Sequence, residues 1–213
     1  EVNRRLLDGY DLILSIGQVV PHEVVGMANY TKNLLVGAGG ADGINGSHFI
    51  GAAYGMERIM GRVDTPPRRV MDHGFDRFFS EVPVVFVLTV IGPDAAGKLV
   101  RRGLFIGDDR DCFEQAAALS QAVNITLLDE RPNLFVVHLD ADEFHSTWLG
   151  NKAIYRTRMA IADGGTLVVL APGVRTFGED AEIDRLIRRT GYRTSPEILD
   201  AVERDDDLRA NLS

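Results

Sequence analysis

The sequence predicts an α/β fold made of two α/β units, each a mixed or parallel sheet flanked by helices. Short runs of Val, Ile and Leu, typical of buried strands, alternate with segments whose apolar residues recur at helical spacing. From about Asp109 onward the order is helix, strand, helix, strand, helix, which is typical of βαβ units and a parallel sheet. We therefore expect units over residues 1–108 and 109–213, with an active site in the cleft between them.

The first half begins with a buried strand at residues 12–16. The stretch from Gly37 to Ser47 contains five glycines and is interpreted as a loop. Apolar residues at helical spacing predict a helix from His48 to about residue 60, and a Pro-Pro pair at residues 66–67 ends it. A second helix is expected at 69–79. Two strands follow at 84–91 and 98–106, joined by a GPDAAG turn.

The second half opens with a helix at about 111–123. A strand at 134–139 is followed by one long helix over 144–162, which Asp163-Gly164-Gly165 closes. Another strand is expected at 166–170, and two more helices at about 180–189 and 196–204.

The composition argues against several classes of function. The net charge is −8, and since nucleic acids and anionic membranes attract basic surfaces, neither is expected as a partner. No run of about 18 apolar residues occurs, so no membrane-spanning helix is expected. The single Cys112 permits neither an internal disulfide nor a cysteine-based metal cluster, and it favours a reducing cytoplasm.

Candidate catalytic residues concentrate in residues 21–48. His22, Lys32 and His48 are spaced ten and then sixteen residues apart around the glycine-rich stretch. Glycines bring backbone N–H groups close to an anion because no Cβ intervenes, and a helix capped near Ser47 would favour a phosphate at its N-terminus. Histidine is the side chain best suited to move a proton near neutral pH, and its imidazole also binds borderline metals.

Each of these residues also has a simpler interpretation. The glycines can serve tight turns alone, because the stretch matches neither the phosphate-binding-loop nor the dinucleotide-binding pattern. Lys32 can be an ordinary surface lysine, and a single histidine is more often packed or exposed than catalytic. The combination and its spacing favour a site.

Together these motifs resemble the nickel-pincer lactate racemase family, the 2-hydroxy acid racemases and epimerases. The first block consists of Pro21-His22, Lys32 after a short turn, Gly39-Gly40 and Ser47-His48. Residues 144–172 resemble a second family block, in which a helix carrying a substrate-contacting lysine leads to a Gly-Gly turn and a strand. Lys152 is the matching position. Residues 84–108 resemble the segment between the two blocks, so the resemblance covers nearly the whole chain.

The resemblance implies a cofactor, a nickel-pincer mononucleotide that carries a pyridinium ring with thioamide and thiocarboxylate groups. Lys32 would form the thioamide link that tethers it. His48 would be the protein ligand of the nickel, in a square-planar geometry that Ni(II) accepts. Gly39, Gly40 and Ser47 would lie near the mononucleotide phosphate.

The resemblance also implies an isomerase that inverts C2 of a 2-hydroxy acid, lactate-like or a sugar acid. Hydride would move between C2 and the pyridinium ring while a histidine moves the hydroxyl proton, and His22 would be one of two such histidines. Lys152 would hold the substrate carboxylate. The expected partners are the hydroxy acid and the proteins that make and insert the cofactor.

Two departures from the family pattern concern the substrate. Asn29-Tyr30-Thr31 stands where the family has Ser-Gly-Gly, and Leu149 stands where a glutamine is common. Both are expected to line the pocket, which would favour a larger hydroxy acid such as a sugar acid.

Two further expectations concern the chain as a whole. The family's other histidine and its substrate arginine precede the Pro-His block, so the resemblance implies that this chain is an internal or C-terminal fragment, inactive alone. A second domain of 109–213 would then be incomplete at its C-terminal end, and 1–108 would be the latter part of a cofactor-anchoring domain. The alternative is a non-catalytic α/β domain that binds a nucleotide or small anion between Gly37 and Ser47.

Overall fold

The computed structural model describes residues 2–212, and the chain divides into two compact units after Thr126. The first unit carries three main helices, a three-stranded sheet and a small hairpin. Its elements are β1 (Ile13–Gln18), β2 (Pro21–His22), β3 (Gly26–Met27), α1 (Ala41–Tyr54), α2 (Pro66–Phe78), β4 (Val84–Pro93), β5 (Leu99–Gly107) and α3 (Arg110–Asn124). Shorter helical turns are Arg4–Leu7, the π-helical turn Asn33–Gly37 and Met56–Arg58.

The sheet of the first unit has the order β1-β4-β5. β1 runs parallel to β4, with Ile16 opposite Val87, and β4 runs antiparallel to β5, with Leu88 opposite Phe105. The positions of the strands predicted at residues 12–16, 84–91 and 98–106 are therefore confirmed within a few residues. The first strand was expected to be buried, which is wrong for this chain, since Leu14 and Ile16 are more than half exposed. The GPDAAG sequence joins β4 and β5, as predicted.

The core of the first unit lies between this sheet and α3. Every second residue of β4 is buried, including Phe86 and Leu88, which are fully shielded from solvent. Phe113 and Ala116 of α3 pack in the same cluster, because residues three and four apart lie on one face of a helix. Because α3 packs in this core, it belongs to the first unit, which extends to Thr126.

The second unit runs Leu127–Leu212. It contains β6 (Leu134–His138), α4 (Thr147–Gly150), α5 (Lys152–Thr157), β7 (Thr166–Leu170), α6 (Ala181–Thr190), α7 (Ser195–Arg204) and α8 (Asp206–Ala210). β6 and β7 pair in parallel, from Leu134 opposite Thr166 to His138 opposite Leu170. The two helices between them form the crossover that a parallel pair needs.

The prediction of one long helix over residues 144–162 is wrong, because the structure has two short helices there. The hydroxyl of Ser146 accepts a hydrogen bond from the Leu149 N–H at 3.0 Å and caps α4, which ends at Gly150. Asn151 then separates α4 from α5, which ends at Thr157. Gly and Asn have low helix propensity, and here they divide the segment into two short helices.

The chain is therefore an α/β protein with parallel and mixed sheets flanked by helices, as predicted. Within residues 2–212, no helix has the length and apolar character needed to cross a membrane.

Candidate functional site

His22 lies in a tight hairpin formed by β2 and β3. Gly26 pairs with it and has φ +88°, and a Cβ there would collide with the Arg62 carbonyl oxygen, so the hairpin requires glycine. The Val24 N–H donates a hydrogen bond to Nδ1 of His22 at 3.1 Å. A backbone amide can only donate, so the neutral His22 ring carries its proton on Nε2.

A left-handed turn directly precedes Lys32. Asn29 and Tyr30 have φ values of 72° and 59°, which is uncommon for residues other than glycine. The Asn29 side-chain oxygen accepts hydrogen bonds from the Tyr30 N–H at 2.7 Å and the Asn33 side-chain amide at 2.8 Å, which helps to hold this geometry. Lys32 then returns to helical angles (φ −59°, ψ −39°) at the start of the turn Asn33–Gly37.

The Lys32 amine lies in a partly desolvated environment. Burial lowers its pKa below the usual lysine value, and the positive charge of Arg68 lowers it further, whereas the carboxylate of Glu23 acts in the opposite direction. Lys32 therefore has a larger neutral fraction at a given pH than an exposed lysine has. The neutral amine is the form that attacks an electrophile.

The glycine-rich stretch is mostly helix, and its prediction as a loop is wrong. α1 begins at Ala41, with Gly40 at its N-cap, so that residues 41–47 are helical. Gly39 forms an isolated antiparallel bridge with Val2. The loop on which the nucleotide- or anion-binding alternative depended is therefore reduced to residues 38–40.

The helical glycines allow α1 to approach two other backbone segments closely. A Cβ on Gly43 would lie 3.0 Å from the Leu35 carbonyl oxygen, and a Cβ on Gly51 would lie 3.2 Å from the Val24 carbonyl oxygen. α1 thus packs against the turn that follows Lys32 and against the hairpin that carries His22. Tertiary packing explains why glycines stand where composition favours a loop.

His48 was predicted to begin a helix, which is wrong. It lies in the middle of α1, seven residues after the first residue of that helix. Its Nδ1 atom lies 2.7 Å from the carbonyl oxygen of Ile44, one turn earlier. Because a carbonyl oxygen only accepts, Nδ1 must be the donor, and the neutral ring has its lone pair on Nε2. The ring is therefore in the tautomer that metal-binding histidines adopt when their other nitrogen donates to a carbonyl.

Ser47 neither caps α1 nor begins it. It is buried within the helix, and its hydroxyl donates to the Ile44 carbonyl oxygen at 2.9 Å. Among the described residues predicted for the site, only Ser47 borders an apolar cavity of about 490 Å³ between α1 and α2, which Val36 and Met71 also line. The Ser47 side chain is therefore part of the buried interior of the first unit.

Three of the predicted residues thus lie on segments that pack against one another in the first unit. The hairpin carries His22, the left-handed turn leads to Lys32, and α1 with His48 contacts the backbone next to both. Within residues 2–212, no three His, Cys, Asp or Glu side chains converge as a metal site would require.

Lys152 lies in the second unit as the first residue of α5, where it is half-buried. Leu149, one of the two departures from the family pattern, packs against the apolar cluster of Leu139, Phe144 and Ala153. It is half-buried there, and its expected place in the pocket stays a prediction.

Tyr30, in the other departure, is a core residue. Its ring stacks on Phe113 at 5.0 Å between centroids and lies 4.5 Å from the ring of Phe86. Only 6% of Tyr30 is exposed. Tyr30 therefore contributes to packing and does not line a pocket within the first unit, while the larger hydroxy acid stays a prediction.

Arg68 is the residue of this region that the sequence did not single out. It is fully buried on α2, where its guanidinium donates to the Thr31 hydroxyl at 2.8 Å and to the carbonyl oxygens of Met27 at 2.6 Å and Asn29 at 3.1 Å. Its spacing from Met71, which is also buried, was the available signal, since positions three apart share a helix face.

Searches against protein families and curated proteins found no match to the sequence. The structure is similar to a crystal structure of a protein from Thermotoga maritima, with a TM-score of 0.86 and 23% identity over 99% of this chain and 51% of that one. It is also similar to the lactate racemase apoprotein from Thermoanaerobacterium thermosaccharolyticum, with a TM-score of 0.71 and 17% identity over 97% of this chain and 47% of that one. The chain has a lactate racemase-like fold and spans about half the length of these two structures.

Proposed function

We propose that this chain belongs to a 2-hydroxy acid racemase or epimerase that uses a nickel-pincer mononucleotide tethered to Lys32. The observation that carries the proposal is the likeness of nearly the whole chain to the lactate racemase apoprotein. The packing of the His22, Lys32 and His48 segments against one another supports it, because the proposal requires these three residues to act at one site.

Lys32 fits the role of covalent anchor. Linkage through a thioamide needs a neutral amine, and burial together with the charge of Arg68 lowers the pKa of Lys32. The left-handed turn at Asn29 and Tyr30 adds a strained, well-defined backbone just ahead of it.

His48 fits the role of a single nickel ligand. Its Nδ1–H donates to the Ile44 carbonyl oxygen, which fixes the ring tautomer and leaves Nε2 as the ligating atom. When bound, the nickel-pincer cofactor would accept hydride from C2 of the substrate and return it to either face.

His22 is proposed as one of the two residues that move the hydroxyl proton. In the hairpin as it stands, Nδ1 accepts the Val24 N–H, so Nε2–H can donate to a substrate oxygen. To accept the hydroxyl proton at Nε2, the ring must first give up the Val24 contact and place its proton on Nδ1. This step would couple proton transfer to a movement of the hairpin.

Lys152 is proposed to bind the substrate carboxylate. An ammonium group pairs with a carboxylate by a charge-assisted hydrogen bond, and this contact would orient C2 for hydride transfer. The substrate class is a 2-hydroxy acid, and no described residue narrows it further.

The reaction is tested by incubating the complete gene product, loaded with cofactor, with one enantiomer of lactate and of other 2-hydroxy acids in D₂O. Hydride transfer predicts that the inverted product keeps its original C2 hydrogen, because that hydrogen never becomes a solvent-exchangeable proton. Deuterium at C2 of the inverted product would show proton abstraction and exclude the proposed chemistry. If none of the acids is inverted by protein that carries cofactor and nickel, the proposed substrate class is wrong.

A further inference from the structure

We propose that Arg68 is the positioning residue for Lys32, whose guanidinium clamps the left-handed turn and so fixes the point from which the Lys32 side chain departs. This inference rests on the proposed function of Lys32 and concerns a residue that does not itself touch cofactor or substrate.

The contacts of Arg68 all fall on the segment that leads into Lys32. One terminal nitrogen donates to the Thr31 hydroxyl at 2.8 Å, and the other donates to the carbonyl oxygens of Met27 and Asn29 at 2.6 and 3.1 Å. These acceptors lie on both sides of Ala28 and reach the residue immediately before Lys32. A planar guanidinium can hold three such acceptors in fixed relative positions, which a lysine ammonium on a flexible stem does less well.

Asp72 and Arg110 form a second set of polar contacts that supports the hydrogen bonds of Arg68 to the turn. The Thr31 hydroxyl donates to Asp72 at 2.7 Å, and Arg110 donates to the other oxygen of Asp72 at 2.6 Å. The Arg68 guanidinium also lies over the Phe113 ring, 4.7 Å from its centroid. The turn is thereby connected through Thr31 and Asp72 to both α2 and α3.

Stability alone gives a poor account of this cation. Arg68 is fully buried, makes no direct carboxylate contact among the described hydrogen bonds and ion pairs, and has no partner for Nε within residues 2–212. It also lies in the first turn of α2, where the helix dipole disfavours a positive charge. Burying a cation in this way carries a desolvation cost that its hydrogen bonds must offset. The three hydrogen bonds of Arg68 to the segment before Lys32 give it a specific role in the conformation of the turn.

Arg68 also affects the reactivity of Lys32. The charged groups that act on the Lys32 amine are Arg68 from α2 and Glu23 from the hairpin, with opposite signs. Burial lowers the pKa of Arg68 only to about 10, so that it stays charged at neutral pH. The clamp therefore holds the backbone and, at the same time, favours the neutral amine of its neighbour.

The test uses the chain without cofactor and measures Lys32 directly. The chain has three lysines, so the pH dependence of amine acylation can be followed on separate peptides, with the exposed Lys98 as the reference. The variants are R68M and R68K. The control is R69M, which removes an exposed arginine whose partner is Asp64 on the surface.

R68M is expected to shift the acylation midpoint of Lys32 to higher pH and to speed hydrogen exchange at the Tyr30 and Asn33 amides. R68K keeps the charge but loses the clamp, so exchange should be faster while the midpoint shifts less. R69M should change neither. If R68M does not fold, the inference is tested with R68K alone, by comparing the hydrogen exchange of the Tyr30 and Asn33 amides with that of the wild type.

Folded R68M and R68K chains that match R69M in both readouts would overturn the inference. Such a result would leave the proposed function intact, because cofactor attachment at Lys32 is measured separately as a mass increment. A chain that shows the expected Arg68 effects but never acquires cofactor would instead contradict the proposed function and leave the clamp in place.

Discussion

Nδ1 of His48 lies 2.7 Å from the carbonyl oxygen of Ile44, within the same helix. This contact decides which ring nitrogen can bind a metal, because the hydrogen-bonded nitrogen must keep its proton. In His22 the relationship is reversed, since Nδ1 accepts the Val24 N–H. The two histidines are thus set by the backbone to opposite tautomers, one suited to ligate a metal and one to donate a hydrogen bond.

The tautomers can be read by nitrogen NMR on chain labelled at histidine. We expect neutral His48 to show its proton on Nδ1 and neutral His22 to show it on Nε2. The variants H48A and H22A assign the signals, and the exposed His73 serves as a histidine outside the site. A proton on Nε2 of His48 would rule out that nitrogen as the nickel ligand in this geometry.

Removal of His48 should separate metal binding from cofactor attachment. In the loaded gene product, H48A is expected to keep the mass increment on Lys32 and to lose most of its nickel, because the tether and the ligand are different residues. The measurements are intact mass and metal analysis, with H73A as the matched control. Nickel retained at the wild-type level in H48A would contradict the assignment.

The helical glycines give a stability prediction with an internal control. A Cβ at Gly43 or Gly51 would press on a carbonyl oxygen at 3.0 or 3.2 Å, whereas one at Gly46 meets nothing within 4 Å. We expect G46A to raise the free energy of unfolding by about 0.5–1 kcal/mol through helix propensity. G43A and G51A should lie about 1–3 kcal/mol below G46A because the helix must move away from its neighbours. Denaturant unfolding measures all three, and equal effects would show that α1 does not pack as described.

The phenol of Tyr30 should ionise late. Burial, with smaller contributions from Asp72 and Asp76, raises its pKa from 10.0 to about 12. The unfolded chain therefore releases this proton first, and the stability of the wild type relative to Y30F should fall as pH rises from about 10 to about 12. Phenolate absorbance during an alkaline titration should show a late step that Y30F lacks and that Y192F, at a residue 93% exposed, retains. A late step that survives in Y30F would contradict the buried position of this ring.

Lys152 should matter for turnover and not for cofactor loading. In K152A the Lys32 mass increment and nickel should be unchanged, while kcat/KM for the acid that the enzyme inverts falls about 10²-fold or more through lost orientation of the carboxylate. K98A, at an exposed lysine in the β4–β5 turn, should behave as wild type. Full activity in K152A would remove Lys152 from the site.

The sequence was most informative where local pattern and tertiary environment agree. β4 buries every second residue and α3 buries one face, so alternation and helical spacing locate both elements well. It failed at Gly43 and Gly51, because a helix that must approach other backbone closely uses the same residue type as a loop. It also failed at Gly150-Asn151, where two weak helix formers divide what spacing alone presents as one helix.

The candidate site shows the same division. Motif spacing was enough to select His22, Lys32 and His48, and the structure places them on segments in contact. The sequence analysis did not identify Arg68, because its guanidinium donates hydrogen bonds to carbonyl oxygens about 40 residues earlier in the chain. A local sequence pattern does not contain such a contact. Tyr30 was misjudged for a different reason, since proximity to a motif in the sequence does not tell whether a side chain faces a pocket or a core.

The central claim is that Lys32 carries a nickel-binding cofactor. The most direct measurement is the intact mass and nickel content of the complete gene product expressed beside the enzymes that make the cofactor, with K32A and K98A as paired variants. The account predicts a cofactor-sized increment on Lys32 and near-stoichiometric nickel in the wild type and K98A, and the loss of both in K32A. An unmodified, nickel-free wild-type protein under conditions that load a lactate racemase would contradict it.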